Sequence, residues 1–473
     1  MGNSKGAAVR VVLLVGLGLV LAAGVLLEGG VWPAQWIWCA MGVAALSITQ
    51  VVVTRRRSVA PDGGVVLWLA TALAGWMVFQ MVPLPPGLVA VVSPTRVEVA
   101  RAAGVQGWLA LSVAPRSTWE WLVNMLPALA AFLMMRELGW AWRERMWVAA
   151  APVIGVAWLE SLLGLTQWSL ARGAGAADSS VGTYVNRNHF AGLLEMALPL
   201  AALWALSVWR HGRRRHERPA GPALAACGLL GVAVCLLLGV VFSLSRMGFI
   251  ASLLGLVVVG VLVMGTSREP GYGRKRSLRW VAPVVVVSVG TALAAIYLPT
   301  DELIRRFATF AETDDISKDM RAEVWRDTRA LIAAYPVTGS GLGTYEHAFL
   351  RYKHVVPMMT VDFAHNDYLQ ALAELGVVGV TIGAALVLWV GVGLVRVVVL
   401  EPGSMNWTMA VGLAGALSTL LLHSLVDFNM YIPANALVAG WLCGLAASPG
   451  LRWRAEEETR SSRRKKSIPE REG

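Results

Sequence analysis

Five short polar blocks interrupt an otherwise apolar chain, and their residue types define the chemistry open to it. The first is Asn186-Arg187-Asn188-His189 and the second Ser243-Leu244-Ser245-Arg246. Arg321, Arg326 and Arg329 form a third, on a helical stretch. Ala364-His365-Asn366-Asp367-Tyr368, followed by Gln370 and Glu374, is the fourth, and His423 with Asp427 completes the set. A guanidinium stays charged at any working pH and presents a donor fork that matches phosphate oxygens. At a membrane edge it suits a lipid-linked pyrophosphate whose tail stays in the bilayer. Taken singly, Arg187 or Arg246 would read as a side chain snorkelling to headgroups. With Arg321 on the same side, and Asn186, Asn188 and Ser245 as neighbouring polar groups, they read as a substrate-binding set. His365 is the candidate for proton transfer, because a free imidazole is neutral and basic near pH 7. It opens a predicted helix, whose positive end favours the neutral ring. Asp367, counted with the substrate-binding residues, and Asp362 are near enough in sequence to hold one ring nitrogen. His189 and His423 are weaker alternatives that read first as structural, while His347 and His354 fall in a loop and read as solvated. Glu374 lies ~13 Å below His365 along a helix, where it must be neutral or paired, for instance with an arginine.

The elements that must position these groups follow from composition. Of 473 residues, 56% are hydrophobic and only 15% charged, against about 25% charged in an average soluble protein. That balance excludes an ordinary cytosolic enzyme and a disordered chain. It fits many membrane-spanning helices, and 21 tryptophans suit the headgroup zone. Apolar runs long enough to cross ~30 Å of hydrocarbon fall near 8–28, 35–53, 64–82, 117–135, 147–168, 188–209, 222–242, 248–266, 280–298, 366–396, 406–425 and 430–447. The expected fold is therefore all-α and polytopic, with about twelve spans. Residues 1–298 hold nine, 299–365 form a long outer loop with short helices, 366–447 hold three, and 448–473 are a charged tail. The first run lacks a small-residue cleavage site and reads as a retained helix. The segment 84–116 reads as a reentrant or surface-lying piece.

Net charge is +11, but the basic residues cluster between spans and show no interleaved basic-aromatic surface for nucleic acid. Arg55–Arg57, Arg136/Arg143/Arg145, Arg210–Arg218, Arg268–Arg279 and the tail fall on one side of a twelve-span topology. The positive-inside rule makes that side cytoplasmic, with both termini inside and all five polar blocks at the outer leaflet. Charged groups at membrane depth are costly unless paired or wetted, so their gathering there suggests one polar chamber.

Other signals are rejected. The four cysteines sit in apolar runs without C-x-x-C and read as small fillers. Gly339-Ser-Gly-Leu-Gly343 resembles part of a dinucleotide fingerprint, but no strand precedes it. There is no P-loop, no H-E-x-x-H and no paired-carboxylate metal motif, so neither metal nor cofactor is expected. Charge on a departing diphosphate then falls to the arginines.

At these residues the sequence resembles the O-antigen ligase/polymerase family of bacterial envelope glycosyltransferases. The matching blocks are Gly182–Gly192, Phe242–Gly248, Arg321…Trp325…Pro336–Gly343, Ala364–Gln370 with Glu374-Leu-Gly376, and His423–Phe428. They cover roughly 180–430; the first 150 residues match only as a hydrophobic pattern. The resemblance implies a GT-C-like enzyme of the bacterial inner membrane that takes a glycan from undecaprenyl diphosphate, without a metal and with inversion, at the periplasmic face. It makes His365 the base and Arg187, Arg246 and Arg321 the diphosphate ligands. The expected partners are the lipid-linked donor, a glycan or lipid-linked acceptor, and membrane lipids. A polymerase, adding to another lipid-linked repeat, is slightly favoured over a ligase acting on lipid A core or protein. A transporter or flippase is the rival of another class, and a non-catalytic scaffold a further one.

Overall fold

The computed structural model describes residues 2–54, 64–173, 179–214, 220–266, 318–354 and 360–452. These are all-helical apart from turns and one isolated antiparallel bridge, Leu84 to Leu109. In chain order the helices are α1 (Gly2–Leu26), α2 (Pro33–Thr54), α3 (Gly64–Phe79), α4 (Pro86–Val92), α5 (Pro94–Ala102), α6 (Pro115–Ala141) and α7 (Met146–Gly173). They continue as α8 (Arg187–Arg214), α9 (Ala220–Phe242), α10 (Arg246–Thr266), α11 (Lys318–Ala334), α12 (Tyr345–Phe349), α13 (Asp367–Leu400), α14 (Met405–His423) and α15 (Pro433–Ala446). Among the described residues nine helices are long and apolar enough to cross a membrane; α3 and α15 are shorter apolar helices. Eleven of the twelve expected spans thus coincide with a helix. The run 280–298 lies outside the described residues, as do the Arg55–Arg57 and Arg268–Arg279 clusters.

The segment 84–116 contains the two short helices α4 and α5, closed by the buried Arg96, whose Nε donates to Ala110 O (3.0 Å) and Ser112 O (3.2 Å). α11 stops just before Pro336, as its sequence predicts. The second loop helix is short, Tyr345–Phe349.

Helix α8 is the most enclosed, with α7, α9, α10 and α14 around it. Apolar burial drives little between helices that already sit in hydrocarbon, so close backbone approach has to supply the packing energy. Small residues permit it. Gly440 and Gly444 lie one turn apart on α15 and abut the Ala128 and Phe132 carbonyls of α6; Gly415 on α14 fits against Pro199 and Val259.

The long helix α13 is broken at Gly376 (φ 64°, ψ −176°), a conformation open in practice only to glycine. A break at membrane depth leaves backbone carbonyls that must find donors. The glycine-rich turn supplies them: Ser340 N–H donates to Ala373 O and Gly341 N–H to Glu374 O, both at 2.9 Å. From α3, the Trp76 indole donates to Leu375 O (2.9 Å), while the Gln80 amide donates to Glu374 O and Thr338 O (both 2.8 Å). Val377 N–H returns the exchange to Pro336 O (2.9 Å). The turn 336–344 is thereby locked into the broken helix.

One end of the bundle collects the start of α8, the α9–α10 turn, the start of α13, the end of α14 and the start of α15. Ser180 N–H donates to Phe242 O (2.8 Å) and Asp367 N–H to Ser424 O (2.9 Å). The opposite end carries the basic side chains Arg143, packed on Gly450, Arg210 over the Trp407 ring and Arg452 over the Trp389 ring.

A Cβ at position 376 would collide with Val337 O and Gly339 N, whereas Gly383 on the same helix has open space around it. Gly376→Ala should therefore cost about 2–4 kcal/mol, from a glycine-only conformation and overpacking together. Thermal unfolding in detergent should show a large drop for Gly376→Ala and little change for Gly383→Ala.

Candidate active site

His365 stands in the left-handed region (φ +49°), between two residues that are tied down. Before it, Ala364 O accepts from the Trp325 indole of α11 (2.9 Å), and Ala364 N–H donates to Gln370 Oε1 (2.9 Å). After it, Asn366 caps α13: its Oδ1 accepts from Tyr368 and Leu369 N–H (3.0 Å each), and its Nδ2 donates to Leu425 O (2.7 Å). Such a backbone conformation persists only where neighbours over-determine it. Here both flanking residues do so.

The carboxylate that approaches His365 is Asp427. Its Oδ1 lies 3.9 Å from His365 Nδ1 and 3.8 Å from His189 Nε2, and its Oδ2 lies 3.8 Å from His423 Nε2. These are ion-pair separations, longer than hydrogen bonds. The Phe428 ring packs edge-on to both His189 (4.7 Å) and His365 (5.0 Å), and stacks on Phe363 (4.1 Å, 6°). Trp121 and Tyr431 continue this aromatic wall. Burial alone would raise the Asp427 carboxyl. The pull of His189 and His365, with His423 behind, outweighs it and holds that carboxyl well below the usual carboxylate range.

Asp367, by contrast, turns away from His365. Its Oδ2 accepts from Ser424 Oγ (2.7 Å) and Met430 N–H (3.2 Å), so it ties α13 to the α14–α15 turn. His423 is fully buried, with Nδ1 at 3.1 Å from both oxygens of Glu195 on α8. His347 and His354 are exposed, as expected. Glu374 is buried and takes Gly343 N–H (2.8 Å), Tyr345 N–H (3.1 Å) and Tyr431 OH (2.8 Å). It was expected to be neutral or paired, for instance with an arginine; its hydrogen-bond donors are the Gly343 and Tyr345 amides, the Tyr431 hydroxyl and Gln370.

Two residues expected to bind substrate are helix caps. Asn186 Oδ1 accepts from Asn188 N–H (2.8 Å) at the start of α8, and buried Ser245 Oγ accepts from Gly248 N–H (3.2 Å) at the start of α10. Both use their oxygens on backbone donors that would otherwise be unsatisfied. Arg187 and Arg246 are the first residues of these helices, and Asn188 is half-buried beside Arg187. The two first turns touch, since a Cβ on Gly248 would lie 2.6 Å from the Ala191 methyl. Leu244, between the serines of this turn, has φ +56°, a strained value for a leucine. Arg321 sits one turn before Trp325 on the same face of α11, with a buried Nε that has no hydrogen-bond partner among the described residues. Glu195 and the aromatic wall were not singled out in the sequence, His189 was only a weaker alternative for proton transfer, and Asp427 appeared only as the companion of His423. The four-residue spacing of His423 and Asp427 was the available signal.

Residues 231–384 match a family described as O-antigen ligase. The matched stretch is about a third of the chain. The match supports the O-antigen ligase/polymerase family, and with it a glycosyltransferase that uses lipid-linked glycan and acceptor substrates in a membrane. Among curated proteins no sequence matches. The matched segment includes Ser245, Arg246, Arg321, His365, Asp367 and Glu374; Arg187, His189 and Asp427 lie outside it, and Asp427 approaches the matched His365 from there.

Because the folded Asp427 carboxyl is depressed, its contribution to stability is complete above the unfolded value near ~4 and is lost as pH falls through the lower folded value. Asp427→Asn should cost about 3 kcal/mol at neutral pH, as for breaking a buried ion pair. Melting curves of the two proteins should converge only below about pH 4.

Proposed function

We propose that the protein transfers a glycan from undecaprenyl diphosphate to an acceptor sugar hydroxyl at the periplasmic face of the inner membrane, in the manner of a polymerase. The observation that carries this reading is the approach of His365 Nδ1 to the buried Asp427, at the bundle end where Arg187, Arg246 and Arg321 occupy first turns. With its Nδ1 proton facing Asp427, the ring presents Nε2 as the base. The acceptor hydroxyl gives its proton to Nε2, its oxygen bonds to the anomeric carbon from the face opposite the diphosphate, and the anomeric C–O bond breaks with its electron pair leaving on the diphosphate. The configuration inverts. The arginines and the positive ends of α8 and α10 meet the charge that develops on the departing group. The periplasmic assignment is supported by the basic side chains at the opposite end of the bundle. A bundle of the GT-C kind would leave the donor's tail between helices. Polar groups gathered at one end favour transferase chemistry over a transporter, whose site would sit at the bilayer midplane between repeats.

His365→Ala should reduce transfer by roughly two to four orders of magnitude, the range for a lost general base, while the protein still inserts. Arg246→Lys and Arg321→Lys should each slow turnover strongly, because lysine cannot make the bidentate contact. Purified protein incubated with lipid-linked repeat units, with and without core acceptor, measures all three. Longer lipid-linked chains without core mark a polymerase and core-attached glycan a ligase. Normal output from His365→Ala would remove the base assignment.

A further inference from the structure

The site's deepest ionisable groups take no part in the chemistry above, yet they connect to it without a gap. His423 on α14 offers Nδ1 to both oxygens of Glu195 at 3.1 Å and faces Asp427 Oδ2 with Nε2 at 3.8 Å. All three side chains are at most 2% exposed. A neutral imidazole has one N–H and one lone pair. Between two carboxylates, its lone pair would face a carboxylate oxygen whichever nitrogen kept the proton. The doubly protonated ring satisfies both sides, giving an alternating Glu195–His423–Asp427 row of charges. The other oxygen of Asp427 faces His189 and His365.

We propose that Glu195 is a positioning residue for the transfer reaction, acting through His423 to fix the charge and orientation that Asp427 presents to His365. This rests on the reading of His365 as the base. A cation at His423 partly offsets the field of Asp427, so His365 is not held as an imidazolium and remains able to accept the acceptor's proton. Glu195 keeps that cation in place from the far side. The titratable groups facing this row are His189 on α8, His365 ahead of α13, and Asp367 on α13, itself held by Ser424 and Met430.

The test uses the full-length protein in membranes, with a tagged undecaprenyl-diphosphate-linked oligosaccharide as probe and transfer rate followed as a function of pH. Glu195→Gln removes the charge at nearly constant shape. His423 then loses its second proton, and Asp427 acts unopposed on His365. The acid limb of the profile should move up by roughly half to one pH unit, the effect of one displaced charge in a partly screened site. KM for the probe should stay unchanged, and Glu195→Asp should restore the limb. Asp427→Asn should move it the opposite way. Independently of any variant's folding, nitrogen-15 spectra of the unaltered protein should show, among its seven histidines, one doubly protonated ring persisting at about pH 8, well above the free imidazole value. An acid limb unmoved in folded Glu195→Gln, or no persistently charged ring, overturns the inference; an inactive His365→Ala in the same assay would leave the base assignment standing. Full activity in His365→Ala would instead remove the parent reading, whatever the state of His423.

Discussion

A buried carboxylate in a membrane protein is costly until cations or hydrogen-bond donors surround it, and Asp427 dictates the arrangement of this bundle end for that reason. Three imidazoles from three separate segments converge on it: His189 from α8, His365 ahead of α13 and His423 from α14. None could withdraw without leaving the carboxylate with fewer partners in a dry surrounding. The convergence draws the starts of α8 and α13 and the end of α14 together, and Phe428 fills the space between two of the rings. An isolated ion pair would bind two elements; this one joins three.

The second constraint is the interlock at Gly376. The break in α13 exposes carbonyls that the turn 338–343, Trp76 of α3 and Gln80 just after it satisfy, and Glu374 draws the Gly343 amide of that turn, the Tyr345 amide at the start of α12 and Tyr431 onto its carboxylate. Tyr431 also belongs to the aromatic wall beside His365. The loop that follows α11 is thus fastened to the segment that carries the histidine. Local strain at His365 and Leu244, both at positive φ, is supported by these fixed surroundings.

The spans were legible because about twenty apolar residues are needed to cross hydrocarbon, a rule that reads directly from sequence. The break in α13 was not, since Gly376 is one of several glycines in that helix and its meaning depends on a turn from a distant loop. His365 was legible by its residue type beside a polar block at a helix start. Its partner was not: Asp362 and Asp367 are nearer in sequence, but the fold brings Asp427 to the ring and turns Asp367 toward Ser424. Asn186 and Ser245 carried a helix-capping signal that their position beside arginines obscured. The task of the glycine-rich turn, wrapping Glu374, could not be seen without the contacts.

The most direct test of the whole account is a double-mutant cycle between Asp427 and His365, with Asn at either or both positions and unfolding free energy as the readout. If the carboxylate organises the site, the two substitutions together should cost less than the sum of their separate effects, with a coupling of about 1 kcal/mol or more, as for residues in one charge network. Strict additivity would mean that the pair does not interact, and the account of this bundle end would be contradicted.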